Sequence, residues 1–127
     1  MLRSLVGSEM CIRDSYTTGA ITNNDAWMKK VTEASEVAGE WIWQLPSHKP
    51  YKKMLATSNV ADLNNAPGRA GGSITAGLFI GEFVEDTPWV HLDIAGTAWQ
   101  DKATANGPAG ATGAMARTLT RLVVSHS

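Results

Sequence analysis

The chain has 127 residues, 43 % of them hydrophobic and 18 % charged, a balance that suits a globular domain or part of one and excludes a disordered chain. A net charge of −1 gives no electrostatic drive toward nucleic acid or an anionic membrane, and no apolar run approaches the roughly 20 residues that span a bilayer. The one cysteine, Cys11, excludes an internal disulfide and suits a reducing compartment.

Residues 1–15 do not read as a signal peptide, because Ser8, Glu9, Arg13 and Asp14 interrupt any apolar stretch. The run Val6 to Ser15 resembles the conceptual translation of a sequencing-adaptor read-through. It is expected to contribute no domain, which leaves 16–127 for the fold.

Asn23, Asn24 and Asp25 are good helix caps. Behind them Trp27, Val31, Ala34 and Ala38 recur at helical spacing among charged residues, and Gly39 closes the pattern. Glu40 to Leu45 is a short aromatic stretch stopped by Pro46. Lys49 to Ala56 predicts a short helix with Pro50 in its first turn. Ser58 to Gly72 has no period and reads as a structured loop.

Ser73 is placed to cap a helix through Val84, apolar on nearly every side and therefore buried on most faces. Thr87 and Pro88 turn the chain. Trp89 to Ala95 predicts a strand covered on both sides. Gly96 to Gly113 reads as a second glycine-rich loop. Met115, Leu119, Leu122 and Val123 mark a closing helix with Arg117 and Arg121 on its wetter side. This order suits a slice of an α/β sandwich.

No metal-binding spacing is visible. His48, His91 and His126 share no helical or turn spacing with carboxylates. His91, inside the predicted strand, reads as a core histidine, or one standing behind a metal ligand, in preference to a ligand itself. Asp93 reads as a structural carboxylate accepting loop N–H groups in preference to an acid or base. Glu82, Glu85 and Asp86 form a solvated acidic face. Gly68 to Ser73 lacks the lysine of a phosphate-binding loop and the surroundings of a dinucleotide site, so close backbone packing is the favoured reading. No Gly-x-Ser-x-Gly nucleophile elbow is present.

Four stretches, in order, carry a resemblance. Ser58-Asn-Val-Ala-Asp-Leu-Asn-Asn65, Gly68-Arg-Ala-Gly-Gly-Ser-Ile-Thr-Ala76, Glu82 to Trp99 with its Pro-Trp-Val-His-Leu-Asp-Ile-Ala-Gly core, and Gly107-Pro-Ala-Gly-Ala-Thr-Gly113 are similar to the corresponding segments of the leucyl aminopeptidase family. Weaker similarity runs back through Glu40 to Pro46, and the whole covers about residues 16–127. The resemblance implies the C-terminal part of a mixed-sheet α/β/α sandwich, the catalytic domain of a two-metal exopeptidase. Such an enzyme removes N-terminal residues, leucine preferred, from peptide substrates. It uses two divalent ions, zinc or manganese, and is a cytoplasmic homo-hexamer.

The family's metal-binding and catalytic motifs lie upstream of everything in these residues. The expectation is therefore that no residue here is catalytic or a metal ligand, that the segment alone binds neither metal, and that it is inactive by itself. A non-catalytic pseudoenzyme, or an assembly or binding module reusing the fold, is the alternative. The resemblance carries over a substrate-pocket lining: Ala95, Gly96 and Ala98 against the substrate's first side chain, with Asn65 and Ala66 approaching beyond the scissile bond. Pro67 and Asn64 replace the family's usual glycine and lysine in that loop.

Overall fold

The computed structural model describes residues 16–57, 62–65 and 71–126. The readings of residues 1–15, of Ser58 to Ala61 and of Ala66 to Ala70 lie outside the described residues.

A strand with no large-residue alternation organises the fold. β1 (Thr17–Thr22) is the middle of a three-stranded sheet ordered β2-β1-β3. β2 (Trp41–Gln44) runs parallel to it, with Thr17 opposite Trp41, and β3 (Val90–Asp93) runs antiparallel, with Ile21 opposite His91. Ala20 and Ile21 point to opposite faces, and both are fully buried, so β1 is covered on both sides.

One cover is built by α1 (Asp25–Ala38), which connects β1 to β2, and α4 (Ala116–His126), which packs against α1. The other is built by α2 (Lys49–Leu55) and α3 (Gly72–Gly81), whose Leu55, Ile74 and Leu78 close on Ile21. Trp89, Tyr51 and Leu63 pack around that cluster. The result is a mixed sheet between helical layers, the C-terminal part of an α/β/α sandwich.

Local chemistry explains the helix ends. The Asn24 side chain accepts the Trp27 N–H at 2.8 Å, and Gly39 takes a left-handed conformation (φ 68°) that lets the chain leave α1. The buried face of α1 is Met28, Val31, Ala34 and Ser35, one step round from the predicted stripe, with Trp27 only half-buried. α3 packs tightly because it is glycine-bearing. A Cβ on Gly77 would lie 3.1 Å from Ile21 and 3.2 Å from His91, and one on Gly81 would lie 2.4 Å from the Trp89 ring.

Several sequence expectations are corrected. Ser73 does not cap α3; Gly71 holds that position (φ 65°) without a side-chain cap. α3 ends at Gly81, not Val84, where Phe83 N and Val84 N turn to carbonyls three residues back. The helix is buried all round only from Gly72 to Leu78, and Ile80 and Phe83 are exposed. The strand expected to be covered on both sides is only half-buried, because among the described residues β3 pairs with β1 alone. The loop Gly96 to Gly113 contains a small antiparallel pair, β4 (Trp99–Gln100) and β5 (Gly110–Ala111). In α4, Thr118 is buried, whereas Leu119 and Val123 are exposed.

Candidate functional site

The chain leaves β3 at Asp93 and folds at once into a single tight turn, Ile94 to Ala98. The Ile94 carbonyl accepts both Thr97 N (3.0 Å) and Ala98 N (2.8 Å), and the Asp93 carboxylate accepts Ala95 N at 3.0 Å. Asp93 is therefore the cap of this turn, the structural role its sequence position suggested. The turn brings Ala95, Gly96 and Ala98 together: Ala95 is exposed, and Gly96 and Ala98 are half-buried. Small side chains on such a turn leave open space above it.

Asn65 is exposed and lies outside the helices and strands. Its neighbour Asn64 ties that segment to the end of α2, through Asn64 N to the Leu55 carbonyl (2.6 Å) and Asn64 Nδ2 to Thr57 Oγ1 (3.1 Å). Ala66 lies outside the described residues.

His91 sits on β3 beneath α3, half-buried against the Gly77 backbone. Burial pushes its imidazole below the ordinary value of 6.5, and the neighbouring Asp93 carboxylate offsets part of that shift.

Beside the turn opens a cleft of about 700 Å³, lined by Thr18, Glu40, Trp41, Thr97, Gln100 and Arg117 among others. One of its lining residues is a closely held carboxylate. The Glu40 side chain is only 8 % exposed and accepts Thr118 N at 2.8 Å and Thr118 Oγ1 at 2.7 Å, with Arg117 Nε 3.5 Å away. A carboxylate in the first turn of α4 satisfies open helix N–H groups and complements the positive end of the helix dipole. Thr18, fully buried on β1, meets Thr97 beside the cleft, hydroxyl to hydroxyl at 3.0 Å. Sequence reasoning passed over Glu40, Thr18 and Thr97. The only signal for Glu40 was its place directly after the Gly39 helix end.

Among the described residues no group of three or more His, Cys, Asp or Glu converges as a metal ion would require. Among them, too, no helix is long and apolar enough to cross a membrane.

The chain matches the family model described as the cytosol aminopeptidase family, catalytic domain, over residues 3–120. It is 54 % identical over 119 residues to a probable cytosol aminopeptidase of Bacillus subtilis (strain 168), a match covering 94 % of this chain and 24 % of that protein. Among solved structures it is similar to the bottromycin maturation enzyme BotP in complex with Mn, at 38 % identity and a TM-score of 0.82, covering 88 % of this chain and 25 % of that one. A mutant of tomato leucine aminopeptidase follows at 37 % identity and a TM-score of 0.78, covering 87 % and 21 % of the two chains. The chain thus spans about a quarter of the length of the relatives it matches.

Proposed function

This chain belongs to the cytosol aminopeptidase family, and on that premise we propose that the whole protein removes N-terminal residues from peptides, leucine preferred, while these residues supply one wall of the pocket for the first side chain. The observation that carries this is the turn after β3. Ala95, Gly96 and Ala98 stand together at the end of a sheet strand, on backbone fixed by the Asp93 cap and the Ile94 carbonyl. Where the turn carries Ala95, Gly96 and Ala98, their small side chains leave space that an apolar group such as leucine can fill. Asn65 and Ala66 belong in this proposal to the far side of the scissile bond.

The chemistry rests on two divalent ions, zinc or manganese, which when bound supply an activated water and polarise the scissile carbonyl. In this proposal these residues help to position substrate and the ions are held by the remainder of the protein, so the segment by itself is inactive. The cytoplasm as its location and a homo-hexamer as its assembly belong to the same proposal. The names of its relatives support the first, and the resemblance supports the second.

Ala98→Leu in the whole enzyme tests the pocket assignment. Filling the space with three extra carbons is expected to lower kcat/KM for a leucyl substrate about tenfold or more, the scale on which pockets discriminate methylenes, and an alanyl substrate much less. Equal effects on both substrates, or none on either, would place the first side chain elsewhere.

A further inference from the structure

The turn that carries Ala95, Gly96 and Ala98 is clamped from two sides. From beneath, buried Thr18 on β1 meets the Thr97 hydroxyl at 3.0 Å. From the other side one residue makes two bonds: Thr112 Oγ1 donates to the Thr97 carbonyl at 2.6 Å, and Thr112 N donates to the Ala98 carbonyl at 3.0 Å. Thr112 is itself held in place. It follows β5, which pairs Ala111 with Trp99, and its hydroxyl accepts Ala114 N at 3.2 Å. The Gln100 side chain fastens the connecting loop by donating to the Gly107 and Pro108 carbonyls.

We infer that Thr112 is a positioning residue for substrate selection: its hydroxyl and N–H fix the height and tilt of the Ala95–Ala98 turn, and so the depth of the pocket for an apolar first residue. The inference rests on the reading that this turn lines that pocket. Thr112 acts through the Thr97 and Ala98 carbonyls, which are the two points where the turn could slide away from the sheet. Displacements well under a bond length at such points are enough to change how a pocket sorts its ligands.

The test uses the whole metal-loaded enzyme carrying Thr112→Val, Thr112→Ser or Ala98→Leu, and reads two quantities. Hydrogen exchange reports whether the turn loosens, and kcat and KM for leucyl and alanyl p-nitroanilides report selectivity. Thr112→Val keeps the shape and the N–H but deletes the hydroxyl. It is expected to speed exchange at Thr97 and Ala98 about fivefold to tenfold, the equivalent of one hydrogen bond. It should also erode the leucyl-over-alanyl preference severalfold through KM, with kcat little changed and α1 exchange unmoved. Thr112→Ser restores both readouts. If Ala98→Leu shifts selectivity while Thr112→Val does not, the positioning role is wrong and the pocket reading stands. If neither shifts it, the pocket reading fails and this inference with it. A fall in kcat with selectivity intact, or no rescue by serine, also overturns the role. If Thr112→Val loosens α1 as well, Thr18→Val, which removes the opposite bond to Thr97, is judged by the same criteria.

Discussion

Replacing Glu40 with alanine removes the acceptor that holds the first turn of α4. Thr118 N and Thr118 Oγ1 lose a carboxylate at 2.8 and 2.7 Å, and Thr118 is fully buried, so neither donor finds water without local opening. Hydrogen bonds to a charged group contribute about 1.5–3 kcal/mol each, and two at the lower end give about 3 kcal/mol. The Arg117 pair adds little, because the arginine side chain is 63 % exposed. At about 1.4 kcal/mol per factor of ten, the opening equilibrium of α4 rises roughly a hundredfold. Hydrogen exchange followed by mass spectrometry reads this directly: amides from Leu119 onward exchange about a hundredfold faster in Glu40→Ala, whereas β1 changes little. Glu40→Gln keeps one acceptor without its charge and falls between, at about tenfold. Exchange in α4 within threefold of the parent chain would refute the cap.

Other expectations follow from the packing. Gly81→Ala drives a Cβ into the Trp89 ring, so the near-ultraviolet circular dichroism of that tryptophan should weaken and the fold lose about 1–3 kcal/mol, more than the better helix propensity of alanine returns. An unchanged spectrum would mean that the ring moves aside freely. His91 is held below its ordinary 6.5 in the fold, so the unfolded chain takes up its proton first as pH falls. Its contribution is complete above pH 6.5 and is lost as pH drops through the lowered folded value. An NMR titration of His91 with a midpoint at or above 6.5 would contradict this, and His91→Gln should flatten that part of the stability profile. The chain alone exposes Trp41, Trp43, Phe83 and Trp99 by about two-thirds each, and should bind an apolar dye or self-associate. A soluble monomer that ignores the dye and unfolds cooperatively would count against a segment built to be covered.

What could be read from the sequence was what local chemistry decides. The Asn24 cap and Gly39 stop bracket α1, Pro50 marks the start of α2, and the run Trp89 to Ala95 contains β3. β1 escaped because Thr17 to Thr22 is short, holds one large apolar residue, and earns its place only by being covered on both faces. The exposed Leu119 and buried Thr118 invert the apparent apolar stripe of α4, since Thr118 answers to Glu40, 78 positions earlier. No periodicity within a helix can report such a partner. The same holds at the site. The motif that supplies Thr112 was visible as a resemblance, but its hold on Thr97 and Ala98 depends on β4 and β5, two-residue strands below the reach of pattern reading.

We propose that these residues shape a peptide pocket and leave the metal chemistry to the remainder of an aminopeptidase. Hydrolysis of leucyl p-nitroanilide with added Mn or Zn, measured side by side for this chain and for the whole protein that contains it, tests that claim most directly. Turnover by the whole protein, with none above background for the chain alone, is the predicted result. Metal-dependent turnover by the 127-residue chain itself would contradict it.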